Sequence, residues 1–265
     1  MKFFLCVFLL LFFAIPRFAA GQYQSTERQW EKIYGNRLFE LIDERPLAWL
    51  PVGVLERHGE HLPWGLDGDK GHLVCVRLAG KFGGVVLPTS NLAGIHGDRS
   101  PRQSAREFRE SHKRVGDFLF TEDYLRTFLY QSFDGLANLG FRVIVAYSGH
   151  YPDIQTRVLQ ETAEAYTAAS GGRTVVIPFW EVLACGEGDH AGKWESSIWA
   201  ALVPGGTRVD SIVDYGTGRK NWYRGKEIRS GISAEFGEKA LETIEEYFAD
   251  KLDEAFESLK EDGEE

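Results

Sequence analysis

The segment that constrains this 265-residue chain most is Leu47–Val54. It is a nearly unbroken apolar run, and it ends in a dense group of polar and ionisable residues. A short apolar run of this kind reads as a buried strand. Two more follow at Phe141–Tyr147 and Thr174–Trp180, with a shorter one at Gly84–Pro88. Between them lie stretches of helical character. Asp69–Phe82, Glu122–Leu139, Asp153–Ala169 and Gly192–Leu202 read as helices, and Ala234–Leu259 is a long charged one. Another amphipathic pattern precedes the first strand over Thr26–Ile42, where Trp30, Ile33, Leu38 and Leu41 recur at helix spacing. Strands alternating with helices predict a single α/β domain with a mostly parallel sheet and helices on both faces. No internal repeat or linker divides the chain. The polar stretch from Gly94 to Arg114 reads as a long surface loop, and Gly205–Gly231 as irregular.

The extreme N-terminus does not belong to this pattern. Lys2 precedes an apolar run from Phe3 to Ile15, followed by Pro16, Arg17 and Ala19–Ala20. A basic start, a short apolar stretch and small residues describe a secretory signal, too short for a comfortable membrane span. We expect residues 1–20 to be removed and 21–265 to be secreted, with no stable membrane association; an uncleaved anchor is the alternative. The remaining Cys75 and Cys185 either stay as thiols or form one bridge, and the absence of a CxxC pair argues against a thiolate zinc site. The net charge of −9 lacks the basic excess of a nucleic-acid binder.

In parallel sheets, ligands bind beyond the carboxyl ends of the strands. Two polar clusters fall there. The first supplies Glu56, His58 and, after a turn, Asp67; the second is Ser148-Gly149-His150-Tyr151-Pro152-Asp153. Carboxylates and imidazoles together form a ligand set for zinc, manganese or iron. A third cluster, Asp189-His190-Ala191-Gly192-Lys193-Trp194-Glu195, opens a helix. Here Glu195 is either a first-turn carboxylate favoured by the helix dipole or a residue that holds metal or orients water. His190 is either a loop residue or an acid–base group.

At these three segments the chain resembles the creatininase family. The first motif stands as Pro51-Val52-Gly53-Val54-Leu55-Glu56-Arg57-His58-Gly59-Glu60-His61-Leu62-Pro63 with Asp67 after it. The second is Ser148-Gly149-His150-Tyr151, and the third His190-Ala191-Gly192-Lys193-Trp194-Glu195-Ser196-Ser197. The resemblance spans roughly Leu47 to Pro204. It implies a hydrolase of a small, cyclic amide, with two divalent ions (zinc, manganese or iron) activating the attacking water. Glu56, Asp67 and His150 would hold one ion. His58, the bridging Asp67 and a further carboxylate would hold the other. His190 would contact substrate or shuttle a proton, with Tyr151 and Trp180 lining the substrate site. A homo-oligomer, commonly a hexamer in this family, is implied as well.

This sequence departs from the creatininase pattern in places. Pro152 stands where creatininase has a Glu, so the second ion needs another carboxylate: Glu195 first, Asp153 second. Gly186 stands where creatininase has a Trp over its substrate, which argues against creatinine itself. His96 survives from a further motif, whereas the Arg-rich stretch Arg99–Arg114 is rebuilt. A degenerate binding protein of the same fold, or a lactone or formamide hydrolase, are the competing readings.

Overall fold

The computed structural model describes residues 26–97, 117–212, 222–223 and 226–259. The expected leader, the arginine-rich stretch and part of the irregular region therefore lie outside the described residues.

Four parallel strands form the sheet: β1 (Leu47–Val52), β2 (Val85–Val86), β3 (Val143–Ser148) and β4 (Val175–Phe179), in the order β2-β1-β3-β4. Helix α1 (Arg37–Glu44) leads into β1, and α2 (Leu66–Phe82) crosses from β1 to β2. Helix α3 (Glu122–Asn138) then precedes β3, and α4 (Asp153–Ala169) connects β3 to β4. After β4 come α5 (Glu181–Cys185), α6 (Lys193–Leu202) and the long α7 (Ala234–Glu257). A small antiparallel pair, β5 (Trp222–Tyr223) with β6 (Lys226–Glu227), lies between α6 and α7.

The strands are apolar throughout because both faces of the sheet are covered. Side chains alternate between two cores. Leu47, Trp49, Val143, Val145, Tyr147 and Phe179 pack with residues of α2, α6 and α7. Ala48, Leu50, Val52, Ile144, Ala146 and Val176 pack with residues of α1, α3 and α4. Trp49 is fully buried, donates its indole N–H to the Gly83 carbonyl at 2.9 Å, and meets Phe248 edge-on at 5.2 Å.

The expected architecture is observed, with shifts at the element ends. The first helix is short. Thr26–Arg28 and Trp30–Lys32 are single 3-10 turns, and Gly35 at φ 55° breaks the path before α1 begins. Trp30, Ile33 and Leu38 still pack on the second core, so their apolar spacing reports burial rather than one continuous helix. Helix α2 starts at Leu66, earlier than the sequence pattern suggests, which puts Asp67 in its first turn. Helix α5 was not expected.

Candidate metal centre

The chain leaves β1 through α2 toward one edge strand and returns to β3 on the other side of β1. The carboxyl ends of β1 and β3 thus form the switch point of the sheet, where ligand sites in such folds lie. The two strands are in register through Val52 and Ser148, so the residues that follow them emerge side by side. Glu56 and His58 come from the β1 end, Asp67 from the first turn of α2, and His150 from the residue after Gly149 beyond β3. The approach is tight. A Cβ on Gly149 would lie 2.0 Å from the Asp67 carbonyl oxygen, and one on Gly53 would lie 2.3 Å from the Gly68 nitrogen. Only glycine at both positions lets the strand ends close on the start of α2.

All four side chains are buried. His150 Nδ1 lies 3.0 Å from Glu56 Oε1 and 3.3 Å from Asp67 Oδ2. His58 Nε2 lies 3.0 Å from Asp67 Oδ1 and 3.7 Å from Glu195 Oε2. Each imidazole uses its other nitrogen on a backbone carbonyl. His58 Nδ1 donates to Glu56 O at 3.1 Å, and His150 Nε2 to Ile95 O at 3.0 Å. His190 does the same, with Nε2 on Arg57 O at 3.1 Å and Nδ1 turned to Glu56 Oε1 at 3.5 Å. This is how proteins fix the tautomer of a ligating histidine. His190 differs in exposure: 52% of its side chain is open to solvent, at the mouth of the cluster.

The electrostatics match the geometry. Burial disfavours charge on His58, but Asp67, Glu195 and Glu56 outweigh it and hold its pKa up at about 9. His150 is raised in the same way to about 10, by Asp67 and Glu56 against its own burial. Burial pushes the Asp67 carboxyl up, yet the two imidazoles override this and hold it far below the usual range.

Glu195 sits in the first turn of α6, where the preceding loop fixes it from two sides. Its Oε2 accepts the Ala191 N–H at 2.7 Å; Ala191 has a left-handed φ of 53°. Its Oε1 accepts from Lys70 Nζ at 3.0 Å. Asp189 caps the helix, accepting N–H groups of Gly192, Trp194 and Glu195. Burial and the Glu195 charge push its carboxyl up to about 6. His61 joins the first motif to this helix, its Nε2 3.1 Å from Ser196 Oγ.

Two residue sets have donor atoms within 4.8 Å of one another and share Asp67: Glu56, Asp67 and His150, and His58, Asp67 and Glu195. Glu56, His58 and His190 form a third such set. Glu195, not Asp153, completes the second set among the described residues. Asp153 instead lines a cavity of about 380 Å³ along α4 with Thr156, Arg157 and Trp180. Trp180, just beyond β4, lines the same cavity beside α4. Tyr151 is held in the site region: its hydroxyl donates to the Asp189 carbonyl at 2.8 Å, and Lys70 lies 5.4 Å from its ring centre. The sequence reading missed Lys70, Glu181 and the tie made by His61.

Two atoms speak for a cation. His58 Nε2 and Asp67 Oδ2 are buried and make no hydrogen bond, although charged partners surround them. Buried polar atoms are almost always satisfied; here His58 Nε2 faces the second set and Asp67 Oδ2 the first. Oxygen and imidazole nitrogen donors of this mix suit zinc, manganese or iron.

Comparison with known proteins agrees. The family model for creatininase, described as creatinine amidohydrolase, matches residues 36–252. The chain belongs to the creatininase family. A creatinine amidohydrolase of Pseudomonas putida is 27% identical over 193 residues, covering 63% of this chain and 68% of that protein. Among solved structures, a manganese creatininase superposes with a TM-score of 0.68 at 21% identity, covering 87% of this chain and 99% of that one. A mutant creatininase of Zn-Zn type gives 0.66 at 20% identity, covering 87% and 98%. At such identities these structures establish that the creatininase fold is shared.

Proposed function

We propose that this creatininase-family protein is a two-metal amidohydrolase that opens a small cyclic amide. The observation that carries the reading is the pair of ligand sets sharing Asp67, with the unsatisfied His58 Nε2 and Asp67 Oδ2 at their centre. Glu56, Asp67 and His150 would hold one ion; His58, Asp67 and Glu195 would hold the other. Such a pair, when bound, supplies a nucleophilic water near neutral pH and polarises the amide carbonyl. The manganese and Zn-Zn creatininases that share the fold support this assignment.

The chain's own groups do the rest. His190 is half exposed and pinned through Nε2, so its Nδ1 faces the ligand cluster from the solvent side. From there it delivers a proton to the leaving nitrogen as the C–N bond breaks. Glu195 is held ionised, because Lys70 and His58 outweigh its burial. It therefore serves as ligand and as acceptor of a hydrogen bond from the attacking water, not as a proton donor. Tyr151 spends its hydroxyl on Asp189 and offers its ring to the substrate. The products are a carboxylate and an amine joined by the opened ring. Gly186, at the position of creatininase's Trp, supports a substrate other than creatinine.

The same reading includes export, supported by the apolar leader Phe3–Ile15, and self-association. The exposed rings of Phe118 and Tyr124, joined through Phe120, support the latter. A screen of zinc- and manganese-loaded protein against small cyclic amides, with lactones and formamides alongside, tests the function. Ring opening of a cyclic amide that disappears in the His190→Ala variant is the expected result. Turnover undiminished after complete metal removal contradicts it.

A further inference from the structure

Beneath the second ligand set lies a buried ion cluster in which Lys70 and Glu181, outside the three motifs, meet Glu195. Lys70 is fully buried, in α2 one turn after Asp67. Its ammonium lies 3.0 Å from Glu195 Oε1 and 2.9 Å from Glu181 Oε1. Glu181, also fully buried at the start of α5, accepts the Tyr147 hydroxyl at 2.5 Å. The cluster thus joins β3, α2, α5 and α6 at one point. A buried ammonium is costly to desolvate and persists only where carboxylates surround it closely.

We propose that Lys70 is a positioning residue for the second metal position. It binds one oxygen of Glu195 and leaves the other, Oε2, directed at His58 and Asp67. This inference rests on the two-metal reading above. Three observations carry it. Glu195 is the residue that brings a carboxylate to the second set, since Pro152 offers none. Its two oxygens are divided, Oε1 to Lys70 and Oε2 to the Ala191 N–H and the His58 side. Lys70 is itself fixed from the far side by Glu181, which Tyr147 holds, so the tether is anchored in the sheet. A glutamate side chain has several rotatable bonds, and fixing both oxygens removes that freedom before a ligand binds. Among the described residues the first set has no such tether: Glu56 and Asp67 both meet the His150 imidazole.

The sign of the effect distinguishes positioning from simple charge. An ammonium close to a cation site repels the cation, so on charge alone removing Lys70 strengthens binding there. Positioning demands the reverse. The test is zinc and cobalt titration of the full chain, read by elemental analysis after equilibrium dialysis and by the cobalt absorption spectrum. Wild type, Lys70→Met and the double variant Lys70→Met/Glu181→Gln are compared. The double variant removes one positive and one negative charge, so it keeps the net charge and does not leave Glu181 as a buried carboxylate without its ammonium. We expect wild type to take up two ions. Both variants should keep the first affinity and lose at least about tenfold in the second, with a changed cobalt spectrum at that step. Thermal melting without metal reports the fold separately. Should Lys70→Met not fold, the double variant carries the test. Unchanged or tighter second-ion binding in the double variant overturns the role of Lys70. Equal weakening of both ions also overturns it, because the effect is then not specific to Glu195. Failure of wild type to bind any divalent ion removes the two-metal reading itself, and the Lys70 inference with it.

Discussion

The two halves of the cluster around Asp67 are built in different ways. Glu56, Asp67 and His150 come from segments adjoining the β1 and β3 ends, aligned by strand register and closed by Gly53 and Gly149. His58, Asp67 and Glu195 instead require α6, a helix beyond β4, to place its first turn against the β1 loop. Backbone geometry sets the first half. The second depends on side-chain ties: Asp189 on the α6 N–H groups, His61 on Ser196, Lys70 on Glu195. The comparison teaches that one ligand set follows from the sheet, and the other is held in place by a polar scaffold around it.

Perturbing the shared residue has the largest effect. Asp67→Ala removes a ligand from both halves and should lower kcat/KM by at least about a thousandfold, with the circular dichroism of the fold retained. Separating the halves is the next step down. Glu195→Gln keeps the shape of the second set and removes its charge, and should lower kcat by roughly a hundredfold while the first half still binds its ion. An equal loss of both ions in that variant would break the distinction between the halves.

Protons provide a third, smaller contrast. His58 and His150 have pKa values raised to about 9 and 10 by neighbouring carboxylates. Without metal both are imidazolium at pH 7, and a cation must displace those protons to bind. Metal uptake at pH 7 should therefore release up to two protons, measured by calorimetry in buffers of different ionisation enthalpy. The stability of the metal-free protein runs the other way. The unfolded histidines titrate near ~6.5. A raised folded pKa stabilises fully below that value and less as pH climbs toward 9–10. The metal-free Tm should fall across this window while the metal-loaded Tm does not. The smallest effect comes from outside the site. Thr121 caps α3 by accepting the Tyr124 N–H, and Thr121→Ala should cost about 1 kcal/mol with metal binding untouched.

How far the sequence reveals this arrangement follows the same division. The buried strands and the span of α4 are legible because an apolar run between turn residues, and a periodic pattern opened by Pro152 and Asp153, have few alternative readings. That Glu56, His58, Asp67 and His150 converge is legible because the three segments carrying them follow the β1 and β3 runs, beyond whose carboxyl ends ligand sites lie in parallel sheets. The start of α2 is not, since Gly65 gives no side-chain cap to mark it. Helix α5 is only Glu181–Cys185, too short to show a period. Lys70 and Glu181 escape because a lysine within a helix and an acid in a first turn are ordinarily solvent-facing. Their burial depends on contacts more than a hundred residues apart in sequence.

The central claim is that two cations share Asp67. Anomalous X-ray diffraction from crystals of the zinc-loaded protein, recorded at the zinc edge, tests it most directly. The account predicts two anomalous peaks on either side of the Asp67 carboxylate, one against Glu56 and His150 and one against His58 and Glu195. A single peak remote from these side chains, or none in zinc-saturated crystals, would contradict it.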